Sequence, residues 1–175
     1  MTDEVDGLIE QMTDNLQTLL REQSITDPLL VGIHTGGTWV AQRLHQRLQL
    51  SRPLGELNIS FYRDDFSRIG PNPEVKPSQI PFEVEDRHII LVDDVLYTGR
   101  TVRAALNELF DYGRPASVIL AVLVEREGRE LPIHAAVSGL TIDLQGRQHI
   151  KLCGPIPMNL KLVDVDSPDT QEHHV

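Results

Sequence analysis

Ile89-Ile90-Leu91-Val92 is a run of four apolar residues that stops abruptly at two carboxylates, Asp93 and Asp94. An apolar run without polar alternation suits a strand buried on both faces, and such strands belong to parallel sheets covered by helices. The next residues narrow the choice further. Thr98-Gly99-Arg100-Thr101 is a glycine turn, and Val102, Ala105, Leu106, Leu109 and Phe110 then recur with helical spacing. Gly113 and Pro115 close that helix. His88 to Val92 is thus expected to be a strand that turns directly into a helix.

The same order occurs earlier in the chain. Leu29 to Ile33 is an apolar run that enters His34-Thr35-Gly36-Gly37, and Trp39, Val40, Leu44 and Leu48 come next with helical spacing until Ser51-Arg52-Pro53. Ser117 to Val124 is a third apolar strand, with weaker strand signals at Ala135 to Val137 and Ile150 to Leu152. Leu57, Ile59 and Phe61 alternate with Asn58, Ser60 and Tyr62 as a half-exposed strand would. Leu8, Met12, Leu16, Leu19 and Leu20 form one stripe of an N-terminal helix that Asp27-Pro28 terminates. Apolar runs alternating with amphipathic helices predict an α/β fold, a mostly parallel sheet flanked by helices. In such sheets ligands bind beyond the carboxyl ends of the strands, where both glycine turns fall.

The 175 residues suit one domain, and neither an internal repeat nor a linker divides them. Residues 1–166 are expected to form it, with 167–175 a frayed polar tail. Arg63 to Gln79 is polar, turn-rich and long for a connection, which marks a functional or disordered loop. Acidic residues outnumber basic ones by 26 to 16, which counts against broad nonspecific binding to nucleic acid. The single cysteine, Cys153, has no disulfide partner and is expected to be a buried or half-buried packing residue. No apolar run approaches the ~20 residues that span a bilayer. The opening MTDEVDGLIE lacks the regions of a signal peptide, so a cytoplasmic protein is expected. His34, His45, His134 and His149 are scattered without metal spacing, and His173-His174 in the tail offers weak adventitious affinity at most.

The chemistry sits in the second turn. Where a loop enters a helix, backbone N–H groups are unpaired and the dipole favours an anion. Gly99 allows close approach, and the Thr98 and Thr101 hydroxyls can donate to phosphate oxygens. This is a phosphate cradle, though not a Walker loop, since no Gly-Lys-Ser/Thr is present. Two carboxylates at the end of a buried strand are costly unless they bind something. Asp93 and Asp94 suit the 2- and 3-hydroxyls of a ribose 5-phosphate, and carboxylates also hold hydrated magnesium. A lone Asp-Asp would read as a solvated turn; the apolar run before it and Thr-Gly-Arg-Thr after it reverse that reading.

Ile89-Ile90-Leu91-Val92-Asp93-Asp94-Val95-Leu96-Tyr97-Thr98-Gly99-Arg100-Thr101 resembles the phosphoribosyl pyrophosphate (PRPP) motif of type I phosphoribosyltransferases, and within them the PyrR type. The likeness continues through Asp111-Tyr112-Gly113-Arg114-Pro115, Leu120 to Val124, Arg129-Glu130-Leu131-Pro132-Ile133, Val31-Gly32-Ile33 and Tyr62-Arg63-Asp64-Asp65, and covers roughly residues 29–140. It implies a type I phosphoribosyltransferase fold with a small C-terminal hood, from about 126–160 plus the N-terminal helix. It implies conversion of uracil and PRPP to UMP and pyrophosphate, with magnesium as cofactor. A further implied role is UMP-responsive regulation of pyrimidine genes by binding messenger RNA leaders and attenuating transcription. Homodimers or higher homo-oligomers go with the type. Asp93 and Asp94 would bind the ribose hydroxyls directly or through magnesium, and Thr98 to Thr101 the 5-phosphate. His34-Thr35-Gly36-Gly37 would be the pyrophosphate loop. Arg63 would act in catalysis, and the segment after it would close over PRPP. Leu131, Pro132 and Val137 are candidates for holding the base. Two rivals remain, a phosphoribosyltransferase for another base and a non-catalytic UMP-sensing RNA-binding regulator.

Two departures from the PyrR pattern stand out. Many such chains carry basic residues in the pyrophosphate loop where this one has His34 and Gly36, which would shift charge neutralisation to Arg63, Arg68 or Lys76. Glu125-Arg126-Glu127-Gly128 replaces the Asp-Arg-Gly-His form, a change that bears on base affinity. RNA binding needs a basic surface or stacking aromatics. The candidates are Arg43, His45 and Arg47, and Arg126, Arg129, Arg147 and Lys151, each of which also reads as an ordinary solvated face.

Overall fold

The computed structural model describes residues 2–59, 77–144 and 148–164. Arg63, Arg68, Lys76, Arg147 and the tail with its two histidines lie outside them, as does most of the 63–79 loop.

The elements run α1 (Thr2–Glu22), β1 (Leu29–Ile33), α2 (Gly36–Arg47), β2 (Gly55–Leu57), β3 (His88–Leu96), α3 (Arg100–Asp111), β4 (Ser117–Arg126), β5 (Val137–Ile142), β6 (Gln148–Cys153) and β7 (Asn159–Asp164). Five strands form a parallel sheet in the order β2-β1-β3-β4-β5, and β6 and β7 pair separately as an antiparallel hairpin. β3 is central, with Leu29 opposite Ile89 on one side and Ile89 opposite Val118 on the other.

Alternation along the strands divides the core in two. Leu30, Ile90, Val92, Ala121 and Leu123 face α1 and α2, while Leu29, Val31, Ile89, Leu91 and Val122 face α3. A strand covered on both faces has no polar side to present, which is why β1 and β3 read as unbroken apolar runs. Each fully buried Leu or Ile contributes about 1.5–3 kcal/mol of transfer free energy. α1 buries Val5, Ile9, Met12, Leu16 and Leu20. Leu8 and Leu19 sit at the margins of that contact, so the stripe is turned slightly from the expected one.

Three elements differ from expectation. β3 does not stop at Val92; its pairing with β4 continues to Leu96 opposite Glu125, so the two carboxylates belong to the strand. Leu57 and Ile59 are buried against Ile80, Phe82 and Val84, as the apolar side of a half-exposed strand should be, but β2 ends at Leu57 and leaves Ile59 outside it. β5 starts at Val137, where the weak strand signal ended. The hairpin packs Ile150, Leu152, Met158 and Leu160 onto the α1 and α2 side. Gly154 makes that contact possible, since a Cβ there would lie 2.7 Å from Trp39 Cε3. Cys153 is a half-buried free thiol. No helix among the described residues is long and apolar enough to cross a membrane.

Candidate active site

α2 and α3 both begin at the carboxyl edge of the sheet, after the neighbouring strands β1 and β3. Their unpaired N-terminal N–H groups therefore face one region. Glycine makes the approach of α2 to β3 possible. A Cβ on Gly37 would lie 2.6 Å from the Val92 carbonyl oxygen and 3.0 Å from Asp93 Cα. A Cβ on Gly36 would lie 2.6 Å from Asp94 Cγ, so any side chain at position 36 displaces that carboxylate from its present seat. The His34 N–H donates to the Leu57 carbonyl at 2.8 Å, and Thr35 Oγ1 lies 3.0 Å from His34 Nδ1. The His34–Thr35 peptide is cis. Thr35 occupies the cap position of α2 without a side-chain capping bond, which leaves those backbone donors open.

A cleft of about 330 Å³ opens at this edge, lined by residues 93–99, Thr101, Val102 and His149. The two carboxylates in it are unlike. Asp93 is 1% exposed and its Oδ1 accepts the Asp94 N–H at 2.9 Å. Asp94 is partly exposed beside Gly36 and is the more available to a ligand. Gly99 holds a left-handed φ of 92° at the start of α3, and Thr98 Oγ1 accepts the Arg100 N–H at 3.2 Å. The left-handed backbone rather than space calls for glycine here, since a Cβ would meet the Leu131 and Ile133 Cβ atoms at an ordinary 3.4 Å.

Not every residue of the thirteen-residue motif reaches the cleft. Ile89 to Val92 are wholly buried and serve as the strand beneath it. Arg100 turns away, its Nε 2.7 Å from Glu130 Oε2. Of the base candidates, Leu131 lies against the phosphate loop, where its N–H donates to the Thr98 carbonyl at 3.1 Å. Pro132 is exposed and lines a separate outer groove with Phe110 and Ile133. Val137 is buried in the core under α1 and does not line the cleft. His149, which carried no motif, does line it from β6. Its ring meets Tyr97 edge-on at 6.5 Å between centroids. Of the second basic cluster, Arg126 is buried and Arg129 is paired with Glu125 at 2.7 Å, so neither offers a free cationic face.

Residues 2–154 match the phosphoribosyl transferase domain model. The Bifunctional protein PyrR of Nitrosococcus oceani is 58% identical over 164 residues, covering 93% of each chain. This chain belongs to the PyrR family. The PyrR protein of Pseudomonas fluorescens is 52% identical, over 91% of this chain and 95% of its own. Among solved structures, a hypoxanthine phosphoribosyltransferase of Trypanosoma cruzi matches with a TM-score of 0.63 at 19% identity, over 82% of this chain and 79% of that one. A hypoxanthine-guanine-xanthine phosphoribosyltransferase matches with a TM-score of 0.58 at 18% identity, over 79% of this chain and 76% of that one. At such identity the two structures speak for the fold alone. It is the type I phosphoribosyltransferase fold, and the PyrR family accounts for the chain along most of its length.

Proposed function

We propose that this chain is a uracil phosphoribosyltransferase, joining uracil N1 to ribose C1 of PRPP with departure of pyrophosphate, to give UMP. The observation that carries the reading is the convergence of two helix N-termini on one pair of carboxylates. The start of α3 receives the 5-phosphate through backbone N–H groups and the Thr98 and Thr101 hydroxyls. The α2 start, from His34 to Gly37, receives the pyrophosphate. Asp94, with Asp93 behind it, accepts hydrogen bonds from the ribose hydroxyls between them. Fixing both ends of PRPP holds C1 in line for attack, and positioning supplies most of the rate. Arg63 and the segment after it are assigned to closing over the substrate and excluding water.

Magnesium fits this site as a companion of PRPP rather than as a resident ion. Among the described residues no three His, Cys, Asp or Glu side chains gather as a metal cage. A magnesium ion is commonly held by one or two carboxylates plus substrate phosphates, and Asp94 and Asp93 supply that number. When bound it neutralises charge growing on the pyrophosphate.

The regulatory role goes with the family: UMP held in the same cleft would control binding to a pyrimidine-gene messenger RNA leader. Arg43, Arg47 and Lys151 are the candidates for RNA contact that remain among the described residues, His45 being taken up by the Arg52 carbonyl at 2.6 Å. The protein is assigned to the cytoplasm as a homo-oligomer, with residues 1–166 as one domain and the segment from 126 to 160, with α1, as its hood. His149, which lines the cleft, and Leu131, which lies against the Thr98-Gly99 turn, are the candidates for reading the base.

The test is steady-state turnover with PRPP, magnesium and uracil, set beside adenine, hypoxanthine and orotate. Turnover with uracil alone is expected. Turnover with another base would reassign the substrate, and binding of PRPP and UMP without turnover would leave a non-catalytic sensor.

A further inference from the structure

The chain after β4 doubles back over the phosphate loop, in contacts separate from the base-reading role proposed for Leu131. The Glu130 and Leu131 N–H groups both donate to the Thr98 carbonyl, at 3.0 and 3.1 Å. The Arg129 guanidinium donates to the Tyr97 carbonyl and pairs with Glu125 Oε1 at 2.7 Å. The Glu130 carboxylate holds Arg100 Nε at 2.7 Å. Apart from the Arg129–Glu125 pair, these contacts fall on Tyr97, Thr98 and Arg100, the residues that carry the chain into α3.

The centre of this arrangement is a cation on a ring. The Arg126 guanidinium lies 3.8 Å from the centroid of the Tyr97 ring, and Arg126 is only 6% exposed. It makes no ion pair among the described residues, and its Nε is buried without a hydrogen-bond partner. Burying an arginine without a carboxylate is unfavourable, and the face of an aromatic ring is a partial compensation. Gly128 keeps the ring in place: at φ +117° it lies so close that a Cβ would be 3.1 Å from Tyr97 Cδ2 and nearer still to Cε2. Tyr97 itself lines the cleft.

We propose that Arg126, acting through Tyr97, is a positioning residue for the 5-phosphate loop. Residues 125–131 then set affinity for PRPP and UMP, and their departure from the family pattern falls on phosphate affinity rather than on base affinity. This rests on the reading of Thr98 to Thr101 as the 5-phosphate site.

The test compares Arg126→Met, Tyr97→Phe, Tyr97→Leu and the Arg126→Met/Tyr97→Leu pair in the full chain. Arg126→Met is expected to raise KM for PRPP about tenfold, while KM for uracil moves less than about twofold. Tyr97→Phe keeps the ring under Arg126 and is expected to raise KM for PRPP less than Tyr97→Leu does. Tyr97→Leu is expected to match Arg126→Met, and the double variant to be no worse than either, because both remove one contact. A merely structural role would lower Tm without this split between the two KM values. If Arg126→Met does not fold, Tyr97→Leu tests the same contact from the more exposed side. Unchanged PRPP affinity in the folded variants, or a rise confined to uracil, overturns the inference. Calorimetric titration of wild type with PRPP separates the two claims: a wild type that binds no PRPP overturns the phosphate-site reading, and the inference with it. A wild type that binds, with variants that bind equally well, overturns the inference alone.

Discussion

Gly36 and Gly37 are adjacent, yet alanine at each is expected to fail in a different way. At Gly37 the added methyl meets main chain, 2.6 Å from the Val92 oxygen and 3.0 Å from Asp93 Cα. Neither atom can move without shifting β3, the strand at the centre of the sheet. Overpacking of this kind costs about 1–3 kcal/mol, and the helix-propensity gain of alanine over glycine returns at most about 1 kcal/mol. For a chain of this length a net loss of about 1–2 kcal/mol lowers Tm by about 2–8 °C. At Gly36 the methyl meets a side chain instead, 2.6 Å from Asp94 Cγ and 3.0 Å from its Cβ. Rotation of the carboxylate relieves most of this, so Gly36→Ala is expected to melt within about 2 °C of wild type. Asp94 then no longer faces the ribose, and kcat/KM is expected to fall at least about tenfold. Thermal melts and steady-state kinetics on the two variants decide the matter. A Gly36→Ala protein that is the less stable of the pair, or that is fully active with uracil, refutes this division of roles.

Burial leads to two more expected outcomes. Val137→Ala is expected to cost about 1–3 kcal/mol by leaving a cavity under α1, with both KM values unchanged; a melt and a kinetic run check this, and a raised uracil KM would return Val137 to the base site. Asp93→Ala leaves the Asp94 N–H without its acceptor and is expected to destabilise by about 1–3 kcal/mol in addition to its effect on turnover, whereas Asp93→Asn, which keeps an acceptor oxygen, is expected to recover most of the stability in a melt.

The sheet was legible wherever burial was two-sided. Leu29 to Ile33 and His88 to Val92 read as strands because helices cover both faces, and their glycine turns read as helix starts for the same reason. Legibility failed where partners lie far away in sequence. β3 runs past its carboxylates because β4 continues beside it to Arg126, which no local pattern around Asp93 reveals. β7 went unseen, since its Leu162 and Val163 are exposed and leave no core signature. Leu57 and Ile59 read as the apolar side of a strand, but nothing local shows that β2 stops at Leu57 or that Ile80, about twenty residues later, packs against them. In the site, the cradle and the paired carboxylates were evident because one stretch of chain carries both. His149 and the stacking of Arg126 on Tyr97 were not, because each joins residues that only the finished fold brings together.

In the proposed site the phosphate donors at the two helix starts are, apart from the Thr98 and Thr101 hydroxyls, peptide groups, and a peptide group has no codon of its own. Of single replacements only proline deletes one of them, so chemical drift along the surface leaves most of the cradle's donor set intact. What mutation can change is the path of the main chain, through the glycines that let α2 approach β3 and through the arginine and tyrosine stacked above the loop. Divergence in substrate affinity among chains of this kind would therefore accumulate in residues that never touch the phosphate, while the part that does touch it stays chemically the same.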